Sequence, residues 1–374
     1  MKQLTIKKQW LAVATSCLML TACAAPQSRT PQNKGEDVQK TTVITGETND
    51  RYYRPLLDEA GHYKVSKNRG ITSEMNSPTN MKLIEKDLTR LSQKEFSSED
   101  HVMQEGQYLP ADLISTWLAR KSEDNEEGLN PAKSGDGEDR APNYISVIVE
   151  YDFFKKKGDG VELAGIALGL GMNSVDYYPE YEYGPIAEQK ISHDEVLTRG
   201  REMANAIVAR TRQIEGAEKV PIFVGIFEQS EQDDLAGGVF LATGKSEQGA
   251  TNIASWNKLN EKRLIFPLEG DNTAEGNAFS NFQSEVESFF PNISGVTGQA
   301  HYIDDSLFDL TVRVTPHFYG RAELVAFTQL LHKSATDFLP KEGSTEIVVE
   351  SLDGVQAILT RYYGEKEYKS YVLN

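Results

Sequence analysis

Residues 192–214 read "SHDEVLTRGREMANAIVARTRQI". Val196, Leu197, Met203, Ile207, Val208 and Ile214 recur at helical spacing, so the stretch predicts one long amphipathic helix. Ser192 stands three residues before Glu195, the pattern of a capping box that would start the helix there. The flanking segments have another character. "YISVIVEYDFF" (144–154) is rich in branched and aromatic residues and reads as a strand. "VELAGIALGLGMNSV" (161–175) is a second apolar segment, whose glycines point to close backbone approach or bulges. After the helix, "KVPIFVGIFEQS" (219–230) and "GGVFLATGKS" (237–246) read as two more strands. The unit is strand, long helix, strand, strand.

The same order returns near the C terminus. "SLFDLTVRVTPHFYG" (306–320) is a strand and "RAELVAFTQLLHKSATDFL" (321–339) a helix. "TEIVVESL" (345–352) and "VQAILTRYYG" (355–364) are two strands around the turn pair Asp353-Gly354. The expected fold class is α+β. Two related strand-helix-strand-strand units form mixed or antiparallel sheets with covering helices, preceded by a helical N-terminal region. That region shows two helical patterns, in "NMKLIEKDLTRLSQKEF" (80–96) and "PADLISTWLAR" (110–120). The expected layout is an N-terminal helical region and acidic loop over 51–143, a first unit over 144–250, a connecting helical segment over 251–300 and a second unit over 301–374.

The first fifty residues belong to neither unit. "LMLTACAA" (18–25) closes an uncharged apolar run that begins at Trp10, after Lys2, Lys7 and Lys8. A basic end, a short apolar core and small residues describe a secretory signal. The run is too short to be a good membrane span, which needs about 20 apolar residues. Residues 23–50 are mainly polar, with scattered Gly and Pro and no helical stripe, as expected of a flexible tether. The chain has two cysteines, Cys17 and Cys23. Removal of residues 1–22 would leave 352 residues with Cys23 as the first, and no internal disulfide or cysteine metal site. The mature chain would carry 36 basic and 56 acidic residues, a net charge of −20. That field disfavours nucleic acid as a partner.

Leu20-Thr21-Ala22-Cys23 resembles the lipobox of bacterial lipoproteins. The resemblance implies diacylglycerol attachment at Cys23 and cleavage after Ala22; an ordinary secretory cut after Ala24 and an uncleaved amphipathic anchor are the competing readings. Further blocks follow: "YYRPLL" (52–57), "RG" (69–70), "GLNP" (128–131), "APNYISVIVEYDFF" (141–154), "GIALGLGMNSVDYY" (165–178), "WNKLNEKRLIFP" (256–267) and "FYGRAE" (318–323). Together they resemble the CamS family of Gram-positive lipoproteins, the sex pheromone precursor family. The resemblance implies a cell-membrane protein, lipid-anchored on the extracellular face, with lipoprotein-processing enzymes among its partners. It also implies a hydrophobic peptide released from the signal, here the segment ending at Ala22, "TSCLMLTA". Thr15, Ser16, Cys17 and Thr21 make this segment more polar than the aliphatic pheromones of the family, so weak or no activity is expected of it.

Chemistry in the body is sparse. Gly165, Gly169 and Gly171 do not make a dinucleotide fingerprint, and no phosphate loop, zinc-protease spacing or nucleophile elbow occurs, Ser174 in "GMNSV" included. The acidic run "DGEDR" (136–140) lacks a full calcium loop. No metal or cofactor is expected. His62, His101, His193, His301, His317 and His332 are scattered, with His317 the one catalytic candidate because it ends a strand near Tyr319, Arg321 and Glu323. "MNSVDYYPEYEYGP" (172–185) reads as an aromatic loop after a strand. Tyr offers rigid apolar area with a hydrogen-bonding tip, suited to peptide or glycan contact. Tyr177, Tyr178, Tyr181 and Tyr319 are the candidate contact residues. The mature body is therefore expected to be a non-enzymatic envelope binding module, with an envelope hydrolase of unrecognised site as the alternative.

Overall fold

A computed structural model describes residues 42–43, 52–73, 75–135, 139–268, 273–289, 293–316 and 320–373. All of them lie in one unit, Val38–Asn374. Ala22 and Cys23, and with them the signal, lipidation and cleavage expectations, lie outside the described residues.

The strands are β1 (Thr42–Val43), β2 (Arg54–Leu57), β3 (Val102–Glu105), β4 (Ile145–Lys157), β5 (Gly160–Met172), β6 (Val175–Pro179), β7 (Ile186–Lys190), β8 (Ile222–Glu228), β9 (Val239–Ser246), β10 (Trp256–Lys258), β11 (Glu261–Phe266), β12 (Ile293–Ile303), β13 (Ser306–Pro316), β14 (Ser344–Ser351), β15 (Gly354–Arg361) and β16 (Lys369–Val372). The helices are α1 (Pro78–Ser92), α2 (Ala111–Leu118), α3 (His193–Thr211), α4 (Ala274–Phe289) and α5 (Arg321–Phe338).

The first sheet has the order β1-β2-β3-β4-β5-β8-β9-β10, the second β11-β12-β13-β14-β15-β16. The α+β reading holds, and the two units share one topology. In the first, β5 crosses through α3 to the parallel β8, which turns back as antiparallel β9. In the second, β13 crosses through α5 to the parallel β14, which turns back as antiparallel β15. Each unit opens on the second strand of an antiparallel hairpin, β4–β5 or β12–β13.

The first sheet is covered on both faces. Val196, Met203, Ala204 and Ile207 of α3 and Trp117 of α2 pack with Ile148, Ile166, Leu168, Leu170, Val224 and Ile226. On the other face Leu83, Ile84, Leu88 and Leu91 of α1 pack with Val147, Phe153, Phe227 and Phe240. Gly169 lets α1 approach, since a Cβ there would stand 3.1 Å from Leu88 Cδ2 and 3.2 Å from Ile84 Cγ1, whereas one on Gly171 would stand 2.2 Å from Val147 Cγ1 of the neighbouring strand β4. The glycine pattern of 165–171 thus marks close approach. The second sheet buries Val296, Ala300, Val312, Val314, Ile347, Val349 and Leu359 with Phe282 and Val286 of α4 and Phe327 and Leu331 of α5.

Several details differ from the sequence reading. The region before residue 144 carries its two helices but also gives β2 and β3 to the first sheet, with β3 antiparallel to β4. The second sheet is entered at Glu261, because β11 pairs along β12 from Glu261↔Ile303 to Phe266↔Gly298. Half of the α3 capping box forms. Ser192 Oγ accepts from the Glu195 N–H at 3.4 Å, but the Glu195 carboxylate instead accepts from the Tyr144 hydroxyl at 2.7 Å. Residues 172–185 are not a plain loop: β6 and β7 form a two-stranded antiparallel ribbon, in register from Val175↔Lys190 to Pro179↔Ile186.

Candidate functional site

The ribbon leaves the first sheet at the carboxyl ends of the parallel strands β5 and β8, beside the N terminus of α3. Open α/β arrangements commonly bind ligands at such ends. Its base is rigid. Asp176 is buried and ion-pairs with the Arg140 guanidinium, accepts from the Asn143 N–H at 3.0 Å and lies 4.0 Å from Arg120 Nη2. The same Arg140 guanidinium lies 4.1 Å from the centre of the Tyr178 ring, a cation–π contact. Across the ribbon, Gln189 Nε2 donates to the Arg140 carbonyl at 3.2 Å. On the opposite face the Tyr177 hydroxyl accepts from the Gln232 N–H at 3.1 Å, and Lys190 pairs with Glu231 at 2.9 Å. Behind the base, Gln229 Nε2 donates to Ser146 Oγ and to Asn173 Oδ1, and Asn173 Nδ2 donates to the Asn143 carbonyl at 2.9 Å.

The tip is the reverse of the base. The Gly184 N–H donates to the Tyr181 carbonyl at 2.7 Å and closes a tight turn. Tyr181 is 65% exposed, Tyr183 96% and Ile186 66%. Tyr183 also has φ 63°, a left-handed conformation that costs a residue with a Cβ. Tyr177, Tyr178 and Tyr181 therefore share one ribbon, with the first two holding it and the third exposed. Tyr183 and Ile186 were not singled out from the sequence, since neither exposure nor φ has a pattern in it. His317 and Tyr319 lie outside the described residues.

Among the described residues, little in the geometry supports bond chemistry. The Ser174 hydroxyl is buried without a hydrogen-bond partner among the described residues, so no base activates it. His332 Nδ1 lies 2.9 Å from Ser370 Oγ on an exposed surface, and no carboxylate is in ion-pair contact with that ring among the described residues. His193 lies 3.2 Å from Glu228 on the exposed start of α3. Asp87, Glu261 and His301 offer ligand atoms within 4.8 Å of one another. Two guanidiniums occupy the same place. Arg263 Nη2 meets Asp87 Oδ2 at 2.5 Å, and Arg90 Nη2 meets Glu261 Oε2 at 2.8 Å. Two carboxylates already balanced by two guanidiniums attract a cation poorly. Burial pushes the Asp87 carboxyl up, but Arg263 and Arg90 outweigh it and hold the group below the usual carboxylate range. This cluster joins α1 to β11 and β12.

A second buried pair lies on β4. Glu150 accepts from the Tyr108 and Leu109 N–H groups at 3.0 and 3.1 Å, and Asp152 accepts from the Gln107 N–H at 2.8 Å. Burial first, then the Glu150 charge, pushes the Asp152 carboxyl well up. Burial pushes Glu150 up as well, against the Leu109 and Tyr108 donors. The pair fastens residues 107–109 to the sheet.

A family model described as "CamS sex pheromone cAM373 precursor" matches residues 63–367. Among solved structures, a sex pheromone precursor from Lactobacillus salivarius subsp. salivarius UCC118 is 36% identical, with a TM-score of 0.83 over 89% of this chain and 99% of that one. The C-terminal domain of the sex pheromone staph-cAM373 precursor from Staphylococcus aureus is 25% identical, with a TM-score of 0.70 over 80% of this chain and 98% of that one. No curated protein sequence matches the chain.

Proposed function

The chain belongs to the CamS sex pheromone precursor family, and from that premise we propose that it is an extracellular lipoprotein, anchored to the membrane through Cys23, whose mature body is a non-enzymatic binding module. The signal segment ending at Ala22 would be the source of any peptide signal. The body would contact a peptide or glycan of the envelope through the tip of the β6–β7 ribbon, with Tyr181 and Tyr183 as contact residues and Tyr177 and Tyr178 as their support. Tyr319 joins them as a candidate by its place after β13.

One observation carries the proposal for the body. Tyr183 is almost fully exposed in a backbone conformation that favours glycine, on a ribbon whose base is fixed by a buried ion pair. Stability alone gives no reason for a tyrosine there, whereas contact with a partner does. No helix among the described residues is long and apolar enough to cross a membrane. Attachment through acyl chains fits that, and two long chains anchor where one is marginal.

Two measurements test the proposal. Mass analysis of the membrane form should find a diacylglyceryl-cysteine at Cys23, and Cys23→Ser should release the protein; equal retention of the variant with the same processed terminus would contradict the anchor. Sedimentation with isolated cell envelopes stripped of lipid should retain the natural protein and lose Tyr181→Ser/Tyr183→Ser. Equal retention of both would remove the ribbon from the function.

A further inference from the structure

The edge of β7 is open. Glu180 N–H donates to the Pro185 carbonyl at 3.0 Å, and Ile191 N–H donates to the Ser174 carbonyl at 2.8 Å. That register commits the odd-numbered backbone groups of β7 to β6. In an antiparallel pair the alternate residues then turn their N–H and C=O outward. Those residues are Ile186, Glu188 and Lys190, all exposed. No third strand joins the ribbon among the described residues. The β6 edge is different, since Pro179 has no N–H to offer there. An exposed strand edge is a template for another chain.

Side chains beside the open edge select the chain that fits. Ile186 and Tyr183 give an exposed apolar surface at the end of β7. Residues 179–189, "PEYEYGPIAEQ", hold three glutamates and no lysine or arginine. Glu180 and Glu182 have no ion-pair partner among the described residues. The whole chain is acidic, with a net charge of −17. Such a surface repels acidic segments and steers basic ones toward it.

We infer that the open edge of β7 receives an extended, basic peptide segment as a third strand, an inference that rests on the ribbon being the contact surface proposed above. Backbone pairing to Ile186, Glu188 and Lys190 gives the register. An apolar side chain of the partner covers Ile186 and Tyr183, and its cationic side chains meet Glu182 and Glu188.

The test uses the full-length protein in detergent and fluorescence anisotropy of a labelled peptide, Lys-Val-Lys-Tyr-Lys-Val-Lys. Three further probes accompany it: the same peptide N-methylated at alternate residues, the peptide with Glu for every Lys, and a chito-oligosaccharide. The lysine peptide should bind and weaken by about tenfold between low and high salt. Glu182→Lys/Glu188→Lys should weaken it by about tenfold or more, since like charges would then meet. N-methylation should abolish binding by removing the pairing donors. Equal binding of the glutamate or N-methylated peptide, or an unchanged affinity in the double variant, would overturn the inference. The peptide arms decide the matter even where a variant folds poorly. Should only the oligosaccharide bind, with loss in Tyr181→Ser/Tyr183→Ser, the contact surface stands and the basic strand falls. Should no probe bind, both fall.

Discussion

Tyr183 and the Glu150–Asp152 pair show how differently two residue-scale features serve the molecule. Tyr183 at φ 63° holds a conformation glycine adopts without cost. Tyr183→Gly is therefore expected to leave stability unchanged or raise it, by at most about 1 kcal/mol, while lowering envelope retention; urea denaturation and sedimentation read the two effects separately. The carboxylate pair acts on folding. Both carboxyls are pushed up in the folded state, so the fold holds protons more tightly than the unfolded chain. Its contribution is present below the ordinary carboxylate range, about 4, and is lost as pH rises through the raised folded values. Asp152→Asn keeps an acceptor for the Gln107 N–H and removes one charge. Urea midpoints should fall less from about pH 5 to about pH 8 in this variant than in the natural protein; an equal fall would show that the pair does not titrate in that range. The pair was legible in principle, since Glu150 and Asp152 are two apart in an apolar strand and so share a face. Their environment was not, because residues 107–109 reach them from more than 40 positions away.

At the scale of elements, the long helix and the flanking strands were readable because apolar periodicity reports burial directly. The ribbon was misread as a loop. Its residues are half polar, Pro179 and Pro185 flank its turn, and its base is held by the Arg140–Asp176 ion pair, which a local pattern cannot show. The capping box failed in part for a similar reason: Tyr144, distant in sequence, takes the Glu195 carboxylate. Asn130, inside "GLNP", is a further case. It is buried, and its Oδ1 accepts from the Tyr144 and Ile145 N–H groups at 2.7 and 3.1 Å. Its Nδ2 donates to the Leu118 and Ile145 carbonyls at 2.7 and 2.9 Å. One side chain thus ties the end of α2 to the start of β4. Asn130→Ala strands these groups, and with about 1–3 kcal/mol for each buried group left unpaired a loss of about 3 kcal/mol or more is expected. A denaturant midpoint within a few tenths of the natural one would contradict that account.

For the whole molecule, the two sheets are joined by polar chemistry. Arg263 donates to Asp87 at 2.5 Å and to the Gly238 carbonyl at 3.2 Å, and Gln299 Nε2 donates to the Ala236 carbonyl at 2.8 Å. His301 Nε2 lies 2.9 Å from Glu261 in the same buried cluster. Asp87→Ala leaves Arg263 buried without its counter-charge, which costs about 3–5 kcal/mol. Its unfolding is expected to separate into two transitions as the sheets lose their coupling; a single transition at the natural midpoint would refute the joint. None of this was legible in the sequence, where Asp87 is a polar position in an amphipathic helix and His301 one of six scattered histidines. The central claim, that the ribbon tip is where the body meets its envelope partner, is tested most directly by photo-crosslinking in living cells. A benzophenone amino acid is placed at Tyr183 in one strain and in another at Leu352, which is 97% exposed at the β14–β15 turn. The account predicts a discrete adduct from position 183 on irradiation and none from position 352. No adduct at 183, or the same adducts from both positions, would contradict it.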